Sequence, residues 1–154
     1  MKKLLFLFVY ICLAAPCSKA QNADVQNGSE RFEVYLNSLK GKRVALFSNH
    51  TGMVGNKHLL DVLLEKGIKV VAVFSPEHGF RGNADAGEHV NNSVDRQTGI
   101  PIYSLYNGKE GKSDEQLLRK IDVLAVDIQD VGLRFYTYYI SMLRLMNACT
   151  KTRT

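Results

Sequence analysis

Three observations predict an α/β fold in which a parallel sheet is covered by helices on both faces. Four short runs, centred on Val44-Ala45-Leu46-Phe47, Val70-Val71-Ala72-Val73-Phe74, Ile102-Tyr103-Ser104-Leu105 and Val123-Leu124-Ala125-Val126, are dominated by apolar residues instead of alternating with polar ones. That is the pattern of strands with no solvent face. The segments between and after them carry apolar residues at helical spacing. Strand and helix signals alternate along the chain, as βαβ units require.

The elements follow in order. Residues 21–28 are polar and read as a mobile leader ahead of the folded part. Ser29 is placed to cap a helix through Phe32, Leu36 and Leu39 to Lys40, which Gly41 stops. The first strand follows at 44–47. Asn56 is the candidate cap of a helix over 57–66, in which Leu59, Leu60, Leu63 and Leu64 share a face and Gly67 ends the run. Residues 69–75 form the second strand. The stretch 76–100 is long, polar and without a period of either kind, and a loop of that length inside a compact domain points to function. A third strand covers 102–105. Ser113, with Gln116 at the capping-box position, opens a helix to Lys120. The fourth strand is 123–126. From Arg134 onward, Phe135, Tyr139, Met142, Leu143 and Met146 fall on one helix face.

The 154 residues suffice for one domain with a core. Residues 1–20 read as a secretory signal: Lys2-Lys3, an apolar stretch from Leu4 to Ala15, and small residues at Ser18 and Ala20 before the cleavage point. Cys17 raises a lipoprotein alternative, against which Pro16 argues. An exported protein, periplasmic or extracellular, is expected, with no stable membrane insertion after cleavage. The net charge of +5 includes Lys2, Lys3 and Lys19 of that leader; the rest holds 17 of the 20 basic residues against 15 acidic ones. No basic face is clustered, so nucleic acid is excluded as a partner. Cleavage leaves Cys149 alone, which rules out an intrachain disulfide and reads as a small buried hydrophobe.

The polar clusters sit where the fold class puts ligands. In open α/β sheets these bind outside the carboxyl ends of the strands. Asn49-His50-Thr51 follows the first strand, Glu77-His78 and Arg81 the second, and Asp127, Gln129 and Asp130 the fourth. A parallel sheet gathers these ends on one edge. Pro76 stops the second strand, because its fixed φ and missing N–H end a ladder. Glycines at 79 and 82 permit tight backbone turns beside the ionisable groups. A carboxyl group that donates a proton near neutral pH needs burial or a second carboxylate to raise its pKa, and Glu77, Asp127 and Asp130 offer such a pair. Arg81 or Arg134 suits an anionic substrate group. Glu77, His78 and Asp127 are also metal-ligand types, but no HExxH or paired-histidine spacing is present. The absence of GxGxxG after the first strand, of a Walker sequence and of GxSxG argues against dinucleotides, nucleoside triphosphates and a serine hydrolase. Plainer roles compete. Asn49 and Thr51 suit turns and caps, and Asp127 suits a structural carboxylate accepting loop amides. His58 reads as a surface helix residue, Glu88 and His89 as solvent-facing. Tyr136, Tyr138 and Tyr139 are partly core, with one ring available to a sugar.

Four motifs together, Ser48-Asn49-His50-Thr51-Gly52, Phe74 through Gly82, Gly99 through Tyr106 and Asp127 through Tyr138, resemble the DUF1343 family over about residues 36–149. Its characterised members are exo-β-N-acetylmuramidases that release terminal N-acetylmuramic acid from the non-reducing ends of peptidoglycan fragments. The resemblance implies a Rossmann-like N-terminal domain over 29–154, followed in the family by a second domain that closes the cleft. It implies Glu77 as the catalytic carboxylate, the general acid/base, with Asp127 a second candidate. Asn49, His50, Thr51, His78, Arg81, Gln129, Asp130, Arg134 and Tyr136 would line the sugar site, where an arginine meets the lactyl carboxylate. No cofactor and no metal are expected. Family members continue past the position of Cys149 toward a further strand. Thr150-Lys151-Thr152-Arg153-Thr154 carries none, so a truncated sheet, incomplete at the C-terminus and lacking the second domain, is expected. The rival readings are a cell-wall sugar-binding module without turnover and a metal-dependent hydrolase using Glu77, His78 and Asp127.

Overall fold

The computed structural model describes residues 25–82, 91–106, 115–152 and 154. The leader at 1–20, Glu88, His89 and the Ser113 cap lie outside them. A 3-10 turn (Gly28–Glu30) precedes α1 (Phe32–Leu39), and β1 (Val44–Ser48) follows. Next come a small hairpin of β2 (Met53–Val54) and β3 (Lys57–His58), then α2 (Leu59–Glu65) and β4 (Val70–Ser75). β5 (Ser93–Val94), β6 (Pro101–Ser104), α3 (Glu115–Leu118), β7 (Val123–Asp127) and α4 (Tyr138–Thr152) complete the order.

The main sheet runs β5-β6-β4-β1-β7. β6, β4, β1 and β7 are mutually parallel, and β5 pairs antiparallel on the outer side of β6. Chain order therefore reverses between β1 and β7, where Ser48 stands opposite Asp127. This is the switch point at which a doubly wound sheet opens a crevice. The expected α/β fold with mostly parallel strands and helices on both faces is present.

Strand alternation explains the burial. Val44 and Leu46 point to one face, into a core with Leu39 from α1, Leu59, Leu60 and Leu63 from α2, and Val73 and Phe80. Ala45 and Phe47 point to the other, among Ala72, Phe74, Leu118, Leu145, Ala148 and Cys149. All five residues of β1 are buried, including polar Ser48. Cys149 is buried too, and burial pushes its thiol pKa up, as befits a packing residue.

Several element ends differ from expectation for local reasons. Ser29 does not cap α1: it lies in the 3-10 turn, closed by a capping box between Asn27 and Glu30, and Arg31 precedes the helix. Residues 53–58 form the β2–β3 hairpin, so α2 begins at Leu59 and its cap is His58, not Asn56. Within 76–100 the two residues of β5 pair with β6. Helix α4 starts at Tyr138, because residues 130–137 are spent on a turn stitched to the helix by Asp130.

Phe47 is wholly buried in the α3/α4-side core. Phe47→Ala removes a ring there that nothing nearby can replace, and is expected to lower unfolding free energy by about 3–5 kcal/mol in urea titration.

Candidate active site at the carboxyl edge of the sheet

The loop after β4 is built as a turn. Gly79 N–H donates to Pro76 C=O at 3.2 Å, and His78 holds φ = 70°, the left-handed value a type II turn places at its third position. A non-glycine residue rarely holds that conformation, and such strain concentrates at functional sites. Glu77 occupies the second position and is half-buried. Its Oε2 accepts the Thr137 hydroxyl at 3.2 Å, so the turn after β4 is tied to the start of α4. Tyr138, next along, is buried; burial raises its phenol pKa, the Asn49 amide opposes that, and the Tyr136 and Glu77 side chains reinforce it. Tyr136 meets the Tyr138 ring edge-on at 5.0 Å between centroids. Glu77, Thr137, Tyr138, Tyr136 and Asn49 thus form one constellation across β4, β1 and α4.

The Asn49–Gly52 turn after β1 is held from below. Asn49 Oδ1 accepts Thr51 N–H and Oγ1–H, at 3.1 and 2.7 Å. Asn49 C=O accepts Gly52 N–H at 3.0 Å and meets His58 Nε2 at 2.8 Å. His58 Nδ1 accepts Leu60 N–H, which leaves the proton on Nε2. Burial first, and the Arg81 charge, lower the His58 pKa, so the ring is a neutral spacer. Its face packs edge-on to Phe80 at 4.5 Å. His58 is therefore a buried pillar under both site loops, not the expected surface residue. The signal for it, a histidine just before an apolar helix start, is shared by many exposed caps.

Asp127 and Glu77 leave different strands of the sheet. β1 lies between the strands that carry them, which separates the backbones by about 10 Å. Asp127 is packed beneath the β1 turn: a Cβ built on Gly52 would sit 2.2 Å from Ser48 Oγ and 3.0 Å from Asp127 Oδ2. Oδ2 is buried with no hydrogen-bond partner, so the structural role of accepting loop amides is not what this oxygen does. Burial raises the Asp127 pKa, with only a partial offset from the nearby His58 imidazole. Asn49 Nδ2, near the Tyr138 phenol but short of hydrogen-bond geometry, and Ser75 Oγ are likewise buried. All three atoms sit at carboxyl ends of adjacent strands, where the fold carries the cost of unsatisfied polar groups.

Arg81 is not available as a free anion fork. Its guanidinium donates to both oxygens of Asp95 at 3.0 Å and to both of Asp61 at 3.3 Å. Burial alone would raise the Asp95 pKa, but the Arg81 and Thr98 hydrogen bonds overcome it and hold the carboxyl below its ordinary value. Asp130 is also engaged, accepting Gly132 N–H at 2.8 Å and Tyr139 N–H at 3.3 Å. His50 is exposed and its ring lies against Gly82, whose added Cβ would be 3.0–3.1 Å from it. Thr51, Gln129 and Arg134 are exposed near the same edge. Two concavities take some of these side chains. One of about 830 Å³ beside β7 is lined by Tyr35, Thr51, Asp127 and Gln129, and one of about 350 Å³ by His50, Lys57, His58 and Arg81. Among the described residues no three His, Cys, Asp or Glu side chains gather as metal ligands, so Glu77, His78 and Asp127 do not make the trio a metal-dependent hydrolase needs.

A doubly wound sheet with a carboxylate on a strained turn at its carboxyl edge defines an α/β protein with the makings of a hydrolytic site. The comparisons narrow the class. Residues 44–154 match the family described as exo-beta-N-acetylmuramidase NamZ, N-terminal, and the chain belongs to that family. It is 45% identical over 141 residues to the peptidoglycan beta-N-acetylmuramidase NamZ of Bacillus subtilis strain 168, covering 88% of this chain and 34% of that protein. Two DUF1343 family crystal structures from Bacteroides fragilis NCTC 9343 superpose with a TM-score of 0.69 each. They are 57% and 39% identical, and cover 82% and 79% of this chain but 31% and 30% of theirs. The chain thus spans about a third of the length of these relatives.

Asp127→Asn tests the buried carboxylate. A raised folded-state pKa means that protonated Asp127 folds more readily, so its presence costs stability as pH rises from the ordinary 3.8 through the raised value. Asp127→Asn is expected to match the parent in melting temperature in acid and exceed it at neutral pH.

Proposed function

We propose that this chain is the part of a glycoside hydrolase that carries the catalytic carboxylate. The hydrolase releases terminal N-acetylmuramic acid from the non-reducing ends of peptidoglycan fragments. The observation that carries the reading is Glu77: a half-buried carboxylate on a left-handed turn at the sheet's carboxyl edge, in a family named for this activity. Glu77 acts as general acid/base on the glycosidic oxygen, either with a second carboxylate or with assistance from the substrate. Asp127, on the far side of β1 from Glu77, is the candidate for that second group. Asn49, His50, Thr51, His78, Gln129 and Tyr136 line the sugar, with the tyrosine offering an apolar face. Arg134, exposed beside them, takes the lactyl carboxylate in place of the clamped Arg81. Residues 1–20 export the protein to where peptidoglycan lies.

Hydrolysis of a chromogenic β-N-acetylmuramide is the direct assay. Glu77→Gln, with an unchanged melting temperature, is expected to lower kcat by about 10² to 10⁴-fold. Full activity in that variant removes Glu77 from the mechanism. Saturable muropeptide binding with no released sugar from the intact hydrolase identifies a binding module instead.

A further inference from the structure

Thr137 occupies the position before α4, and its carbonyl accepts the Ser141 N–H at 3.1 Å, the first bond of the helix. A threonine there ordinarily turns its hydroxyl onto an amide of the first turn. This one does not. The hydroxyl donates to Glu77 Oε2, sixty residues away in sequence, at 3.2 Å. The capping it gives up is supplied from elsewhere: Tyr139 N–H, the amide a cap would take, donates to Asp130 Oδ2 at 3.3 Å. Asp130 is itself fixed by Gly132 N–H at 2.8 Å. Two residues have exchanged tasks, a carboxylate capping the helix and the hydroxyl freed for another carboxylate. Both Thr137 and the Glu77 oxygen it holds lie toward solvent, where a ligand arrives, and not in the core. The positive end of the 15-residue α4 adds to the same effect, favouring negative charge at its first turn.

We infer that Thr137 is a positioning residue for Glu77, freed for that task by Asp130. The inference rests on the reading of Glu77 as the general acid/base. The hydroxyl holds Oε2 against the start of α4, which narrows the orientations in which the carboxylate meets the glycosidic bond. A rotating carboxylate spends much of its time misaligned, and misplacement of a reacting group is costly to rate while leaving ground-state binding largely intact.

Thr137→Val keeps the branched shape and removes the donor; Thr137→Ser keeps the donor. On the chromogenic β-N-acetylmuramide, Thr137→Val is expected to lower kcat about tenfold, the size of one charge-assisted hydrogen bond, with KM little changed. Thr137→Ser restores kcat. In the Glu77→Gln background Thr137→Val has no further effect. The ¹³C resonance of the Glu77 carboxyl reads the contact whether or not the chain turns over: it moves in Thr137→Val and stays in Thr137→Ser. An unmoved carboxyl resonance in Thr137→Val overturns the inference, as does a moved resonance with kcat unchanged in an active chain. An active Glu77→Gln variant overturns the reading of Glu77 instead, and the two failures are told apart by that resonance.

Discussion

Hydrogen bonding of β1 to β4 on one side and to β7 on the other sets the position of every group discussed above. The strand has no exposed residue, so its two faces must be covered at once, by α1 and α2 over Val44 and Leu46 and by α3 and α4 over Ala45 and Phe47. Its ladder to β7 runs in unbroken register from Val44 to Ser48 and brings Asp127 under the turn that follows. The ladder to β4 aligns Phe47 with Phe74, one residue short of the Ser75-Pro76 exit. Once these pairings form, the three loops emerge side by side, and only their internal hydrogen bonds remain to be chosen.

Those internal bonds decide what each polar residue is free to do. The site loops hold one another as much as they wait for a ligand: Asn49 closes its own turn, Asp130 caps α4, and His58 supports two loops through both ring nitrogens and its face. Glu77, tied to Thr137, sits on the turn after β4, and the unsatisfied atoms of Asn49, Ser75 and Asp127 lie at the carboxyl ends of β1, β4 and β7. A fold that satisfies its backbone elsewhere concentrates its discomfort here, as functional sites commonly do.

Much of this was legible in the sequence because the sheet is apolar. Continuous apolar runs announce themselves by composition even where, as in β7, the strand is only half-buried, so β1, β4, β6 and β7 fall within a residue or so of expectation, and their carboxyl ends locate the site loops. One period misled: Phe135, Tyr139, Leu143 and Met146, spaced as a core face, are exposed, while α4 buries Leu145, Ala148 and Cys149. Other pieces that escaped have no period to read. β2, β3 and β5 are two residues each, too short for alternation to register. The delayed start of α4 depends on Asp130 reaching Tyr139, a contact nine residues long that no local pattern encodes. The facing of Asp127 and the engagement of Arg81 are tertiary facts. Sequence spacing puts residues on the same edge of a sheet, but not on the same side of it.

The Arg81 clamp bears on how far this chain tolerates substitution that conserves charge. One guanidinium joins α2 through Asp61, the turn at 95–98 through Asp95, and the loop after β4 that carries it. Asp95 is 4% exposed, and the fork, together with Thr98, holds its carboxyl below the ordinary value despite burial. A lysine would bring the same charge as a single point, able to serve one carboxylate well and the other poorly. The remaining acid would then face its twin across the place where the fork had been, and mutual repulsion would part the long loop from the helix. Position 81 thus calls for a planar, two-sided cation: the fold uses the shape of the side chain there as well as its charge.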